Sequence, residues 1–252
     1  MGKDRPGPGA AGGVRALKPP AERLYGRARG HTLRPRQQRL QAEALPRVAF
    51  PAAAAADPGR AFATPPAALW LEVGFGGGEH AAAMAATHPD IGLIAAEVFE
   101  NGICALLSRL CPDPADPASA PLPGNLRLWT QDARLLLRAL PDAALDLLFL
   151  LFPDPWPKSR HARRRFVHPA ALEGIARVLR PGAEWRIASD DPTYQAWVAA
   201  TLADQPWFAV PPPAMERPAL WPPTRYEAKA RAAGRQPLYW SLRRLPAVPI
   251  SG

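Results

Sequence analysis

The sequence predicts an α/β fold built on a doubly wound, mostly parallel sheet, and three observations carry that prediction. From Ala68 onward, short apolar runs alternate with helical stretches, the pattern of parallel strands joined by crossover helices. The run Leu147 to Phe152 is apolar without helical periodicity, as a strand buried on both faces of such a sheet must be. Four successive strand ends each carry an acid: Glu72, Glu97, Asp132 and Asp154.

Taken in order, residues 1–20 are Gly, Pro, Ala and basic residues with too few large apolar side chains to order themselves, so a disordered basic tail is expected. Residues 21–67 read as an N-terminal arm and linker, with a short helix over about Pro35 to Ala44 stopped by Pro46, and linker at Ala52–Ala56 and Pro65–Ala68. Residues 68–252 make one domain. Strands are expected at Leu69–Val73, Leu93–Ala96, Leu126–Thr130, Leu145–Leu151, Glu184–Ser189 and Tyr239–Arg243. Helices are expected at Glu79–His88, Glu100–Leu110, Ala133–Arg138, Pro169–Leu179 and Pro192–Ala203. Five prolines make Cys111–Gly124 a loop, and Glu216–Trp240, mixing base, acid and aromatic, reads as a loop that closes over a site. Pro153, Pro155 and Pro157 fix φ at alternate positions and remove three donors, so Phe152–Lys158 is a stiff, extended loop. It leaves the carboxyl end of a buried strand, where open α/β sheets place ligands.

A length of 252 residues, 48% of them hydrophobic, supports one large domain with a full core. The formal charge of +9 is unevenly spread. Residues 1–36 carry +7, Lys158–Arg165 +5 and residues 224–244 +5, around a body that is net acidic. Three basic segments suggest a nucleic-acid footprint, while for the tail alone a solvated, unstructured segment is the preferred reading. Cys104 and Cys111, seven apart in an apolar helical stretch, read as core residues and imply neither a disulfide framework nor a metal site. His31, His80, His88 and His168 form no metal-ligand spacing. With no apolar h-region at the start and no run of membrane-spanning length, a soluble, cytoplasmic protein with no metal and no membrane contact is expected.

The first strand leads into LEVGFGGGEH, where Gly74 and Gly76 permit close approach of a ligand at the strand-to-helix turn. A dinucleotide fingerprint would need a third glycine where Glu79 stands, and two carboxylates flanking the turn disfavour a pyrophosphate. They suit a positively charged nucleoside such as S-adenosylmethionine. Glu97, twenty-five residues after Glu72, is placed to accept both protons of a ribose diol. Asp132 reads alone as a helix N-cap, but four acids on one sheet edge favour a shared ligand. In ASDDPTY, Asp191 is the better cap for the helix at Pro192, which leaves Asp190 for a ligand. Trp156 either stacks on a base or wedges the loop against the core.

The stretches YGRARG, LEVGFGGGEH, AAEVFENG, QDAR, LFPDPWPKSRHARRRFV, ASDDPTY and PTRYEAKARAAG occur in order over Leu24–Trp240. In this the chain resembles the bacterial tRNA (guanine-N7-)-methyltransferase family. It differs at Arg225, Ala230 and Arg235, where that family usually has Lys, Gly and His. The resemblance implies a class I methyltransferase fold, S-adenosyl-L-methionine as cofactor, tRNA as partner with no obligate protein partner, and 7-methylguanosine in the variable loop as product. It implies cofactor contacts at Glu72, Gly74, Gly76, Glu97, Asp132 and Asp154, with Asp154 also the catalytic residue beside the reacting base. It implies substrate contacts at Lys158, Asp190, Thr224, Arg225, Tyr226 and Glu227, and RNA contacts at Arg160, His161, Arg163, Arg164 and Arg165. Competing readings are a methyltransferase for another RNA or for DNA amino groups, a non-catalytic RNA-binding protein on the same fold, and an NAD-dependent oxidoreductase. The first is disfavoured because the acid of Pro-Asp-Pro-Trp stands one proline out of the expected D/N-P-P-aromatic pattern, the last by Glu79.

Overall fold

The computed structural model describes residues 28–219 and 221–246; the tail expected over residues 1–20 lies outside them. The strands are β1 (Ala68–Val73), β2 (Ile91–Ala96), β3 (Leu126–Trp129), β4 (Leu145–Leu151), β5 (Leu179–Ser189), β6 (Phe208–Ala209) and β7 (Leu238–Arg244). They form one sheet in the order β3-β2-β1-β4-β5-β7-β6. The pairs from β3 across to β5 are parallel, while β7 runs antiparallel to both β5 and β6. The strand order reverses between β1 and β4, so the crevice at their carboxyl ends is the switch point where such sheets bind ligands.

β4 shows why the apolar run reads as a central strand. Leu148 and Leu150 enter one core while Leu147, Phe149 and Leu151 enter the other, on opposite faces of the sheet. The helices α3 (Glu79–Thr87), α4 (Glu100–Leu110), α5 (Ala133–Ala139), α6 (Pro169–Val178) and α7 (Pro192–Leu202) cover those faces. Their starts follow local chemistry. Asp132 Oδ1 accepts from the Arg134 N–H at α5, and Asp191 Oδ1 from the Tyr194 N–H at α7, where Pro192 stands at a position whose missing donor is harmless. Cys104 and Cys111 are both fully buried.

Two segments differ from expectation. Within the arm, α1 (Pro35–Arg39), a π-helical turn at Leu40–Ala44 and α2 (Leu45–Val48) run on from one another past the expected stop, with Leu40, Ala44 and Val48 buried. Pro46 suits the π turn, because it has no N–H to donate to an α-helical hydrogen bond, and the Leu45 N–H donates instead to the Leu40 carbonyl. The stretch expected to be linker forms 3-10 turns at Ala52–Ala56 and Pro58–Ala61, and Phe62 packs into the core. Arg36 and Arg47 then donate to carbonyls of Cys111, Ala115, Pro117 and Ala120, tying the proline-rich loop to the arm. The stretch expected to be a closing loop contains instead a helix, α8 (Arg225–Ala232). Its signal stands in the sequence as Thr-x-x-Glu, and Thr224 Oγ1 does accept from the Glu227 N–H.

Candidate active site

A cavity of about 340 Å³ opens at the carboxyl ends of β1, β2, β3 and β4. Three of the four strand-end acids, Glu97, Asp132 and Asp154, line it. The fourth, Glu72, does not: it is 2% exposed, and its Oε2 accepts from His80 Nδ1 at 2.9 Å, beneath the glycine turn. Its carboxylate therefore braces the turn against α3 instead of forming the cavity wall.

The turn follows from two glycines. Gly74 sits at φ +74 with nothing within 4 Å of where a Cβ would stand, so the left-handed backbone is its requirement and the space beside it is open. Gly76, at φ +58, would also set a Cβ 2.8 Å from the Tyr226 hydroxyl of α8. Glu97 locks this turn from β2, since Oε2 accepts from the Gly76 N–H and Oε1 from those of Val98 and Phe99. A carboxylate offers about four lone-pair sites, and three backbone donors already engage Glu97. Burial raises its pKa above the usual carboxylate value, opposed by the three backbone donors and aided slightly by the charge of Asp154. Asp132 both caps α5 and pairs with Arg134 at 3.1 Å while lining the cavity, so the cap does not take it out of the cavity wall.

The loop after β4 carries the strain. Phe152 (φ +52) and Trp156 (φ +44) are left-handed although neither is glycine, at about 1–3 kcal/mol each. The first ends the strand and turns the chain; the second lets Trp156 line the cavity with exposed Asp154 between them. Arg165 holds this shape. It is 5% exposed, its Nε donates to the Pro155 carbonyl at 3.0 Å and its Nη2 to the Trp156 carbonyl at 2.9 Å. Such charged hydrogen bonds contribute about 1.5–3 kcal/mol each, the same size as the strain. This corrects the expectation that Arg165 contacts RNA, because its donors face the loop.

The remaining expected residues divide. Tyr226 lines the cavity. Arg164 lines it too, with its guanidinium 4.7 Å from the Trp156 ring, which leaves that ring at most one face for a base. Lys158, Arg160 and Arg163 are exposed beside the loop. His161 meets Trp156 edge-on, and burial together with Arg164, Arg160, Lys158 and Arg163 pushes its pKa below the ordinary histidine value, so near neutral pH it is no cation. Thr224 is occupied as a cap, and Glu227 is buried between Arg217 at 2.9 Å and Arg231 at 3.2 Å. Arg225 leans toward Glu79 at 3.7 Å, and Glu79 itself pairs with Arg109 at 2.6 Å. Asp190, expected to be left for a ligand, pairs with Arg235 at 2.6 Å. The cavity also enlists Phe99, Gln131 and Phe166, which stand inside AAEVFENG, QDAR and LFPDPWPKSRHARRRFV but, being uncharged, are not singled out by the sequence as site residues.

The residues present fit a cationic nucleoside. Acids set the charge, Val73, Ala96, Leu150 and Phe99 supply apolar wall, and Gly74 leaves open space at the turn. Among the described residues no group of His, Cys, Asp and Glu is placed to hold a metal, and no helix is long and apolar enough to cross a membrane.

A family model described as "Putative methyltransferase" matches residues 66–239. A tRNA (guanine-N(7)-)-methyltransferase of Granulibacter bethesdensis is 62% identical over 224 residues, 89% of this chain and 96% of that one. The enzymes of that name from Rhodospirillum rubrum and Paramagnetospirillum magneticum are 48% and 46% identical, covering 91% and 88% of this chain and 91% and 92% of theirs. With the doubly wound sheet, its switch-point cavity and this likeness along nearly the whole of each chain, the protein is a methyltransferase of the class I fold and belongs to the bacterial tRNA (guanine-N7-)-methyltransferase family.

Proposed function

We propose that this methyltransferase uses S-adenosyl-L-methionine to methylate N7 of a guanine in the variable loop of tRNA. The observation that carries the reading is the Asp154 loop: a carboxylate held at the mouth of an acidic, glycine-turned cavity, with Lys158, Arg160 and Arg163 exposed beside it. When bound, the cofactor supplies a sulfonium methyl, so that the N7 lone pair forms the new N–C bond while the S–C pair returns to sulfur.

N7 is already an acceptor, so the chain needs no strong base and contributes alignment and charge. Asp154 holds guanine through its N1 and N2 protons, and its negative charge offsets the positive charge growing on the ring. Glu97 takes one ribose hydroxyl, and Gly74 and Gly76 let the backbone come close. Glu72 acts through His80 and the turn. Tyr226, on the cavity wall, and Lys158 are placed for the guanosine and its phosphates, with Asp190, Thr224, Arg225 and Glu227 ordering the surfaces around them.

The test is methyl transfer from labelled S-adenosylmethionine to unmodified tRNA, followed by borohydride and aniline cleavage at 7-methylguanosine. One cut in the variable loop is expected. Label without cleavage moves the target atom elsewhere, and tight tRNA binding with no label restores the non-catalytic reading.

Glu97→Gln should weaken cofactor binding by about 10–100-fold, the loss of one charged hydrogen bond. Titration calorimetry reads it, and unchanged affinity removes Glu97 from the site. Wild-type affinity should also fall on acidification, beginning above the ordinary carboxylate range, because burial makes Glu97 take its proton early. The sign for stability is opposite. Folded Glu97 binds a proton more readily than unfolded Glu97, so its contribution improves as pH falls through the folded value and is lost as pH rises through it. Arg160→Glu with Arg163→Glu should raise the tRNA KM and shrink the log–log salt slope by about 0.7–0.9 per phosphate contact removed. An unchanged slope takes both residues off the RNA.

A further inference from the structure

We propose that Arg165 is a positioning residue for methyl transfer: its guanidinium fork grips the Pro155 and Trp156 carbonyls and so sets where Asp154 meets the base. This rests on the role given to Asp154 above.

The geometry points one way. Pro153, Asp154 and Pro155 stand between two left-handed side-chain-bearing residues, Phe152 and Trp156. Pro153, Pro155 and Pro157 donate nothing from the backbone, so the loop cannot close on its own ladder of hydrogen bonds. Arg165 supplies what is missing, with two donors of one rigid plane on successive carbonyls at 3.0 and 2.9 Å. That grip holds the peptide groups on both sides of Trp156 Cα, where φ is +44. Asp154 lies one residue before the gripped segment.

Arg165 is anchored from behind as well. Its guanidinium lies 4.7 Å from the Trp197 ring centroid of α7, and Trp197 Nε1 donates to the Val167 carbonyl. Tyr194, fully buried on the same helix, holds this segment too, its hydroxyl oxygen accepting from the Val167 N–H at 3.4 Å. The path from α7 through Arg165 to the loop is thus continuous. At 5% exposure, with Nε and Nη2 both donating to the loop, Arg165 offers little surface to a phosphate. Its neighbour Arg163, exposed two residues away, is the natural contrast.

Lysine keeps the charge but not the planar fork, so Arg165→Lys separates geometry from electrostatics, and Arg165→Met removes both. Trp197→Leu loosens the anchor without touching the loop. Three quantities are measured: kcat and tRNA KM for methyl transfer across a salt series, and hydrogen exchange at the amides of Asp154, Trp156 and Lys158, with β4 amides reporting that the variant is folded. Arg165→Lys and Arg165→Met should lower kcat by about 10–10²-fold, the scale of a small misplacement of a reacting group, with the salt slope unchanged and faster loop exchange. Trp197→Leu should move kcat and exchange the same way by less.

A raised KM and a salt slope smaller by about one contact in Arg165→Met, with kcat kept, would make Arg165 an RNA contact and overturn the proposal. So would wild-type kcat with wild-type loop exchange, or a fall in kcat without any change in loop exchange. If the wild-type protein forms no 7-methylguanosine, the functional reading fails by itself, and loop exchange still decides whether Arg165 holds the loop.

Discussion

Asp154→Asn is expected to lower kcat for methyl transfer by about 10²–10³-fold, the range for removing one preorganised electrostatic partner of a transition state. The amide keeps the size of the carboxylate but turns one acceptor into a donor, so the loss measures the charge together with one of the two hydrogen bonds to guanine. Asp154 is the exposed member of the acidic lining, on a loop whose shape is fixed by prolines, two left-handed residues and Arg165. Cofactor affinity should change far less, because the turn that faces the cofactor is built by Gly74, Gly76 and Glu97, and the charge of Asp154 is the last of the influences on Glu97. Single-turnover rates with saturating tRNA read the effect. A rate within threefold of wild type would remove Asp154 from the chemistry.

The second large effect lies below the site. Glu72 and His80 have side chains only 3% exposed, 2.9 Å apart, with His80 edge-on to Phe149 of β4 at 4.7 Å. His80→Leu leaves the Glu72 carboxylate buried without this partner, and removing one member of a buried pair destabilises by about 3–5 kcal/mol. Replacing both, in Glu72→Leu with His80→Leu, should recover most of that loss, because no charge is then left unpaired in the core. Urea unfolding measures both. A loss below about 1 kcal/mol in the single variant would mean that water or another donor already satisfies Glu72. Because Glu72 stands two residues before Gly74, the single variant should also weaken cofactor binding in proportion to its loss of order at the turn, which calorimetry on the still-folded fraction detects.

Much of the site was legible because its chemistry is local. The strand β4, the glycine turn, the proline loop and the acids at the strand ends are each written in consecutive residues, and alternation or backbone restriction alone is enough to read them. The helix α8 was equally legible in Thr224-x-x-Glu227, but aromatic and basic residues around it masked the cap. The arm was not, since its packing rests on Leu40, Ala44 and Val48 finding a surface that only the folded sheet provides.

What the sequence by itself determined is the α/β sheet, the line of acids along its edge and the basic character of the segment after β4. Strand and helix period, proline stereochemistry and charge need no partner to be expressed. What only the tertiary structure decided is which of those groups face the ligand. Glu72 and Arg165 look like their neighbours in the chain, yet one braces the turn through His80 and the other holds two carbonyls of the loop. Direction is the reason: a residue's type fixes what it can bond, but the partner it meets depends on contacts between segments tens of residues apart, which no local pattern encodes.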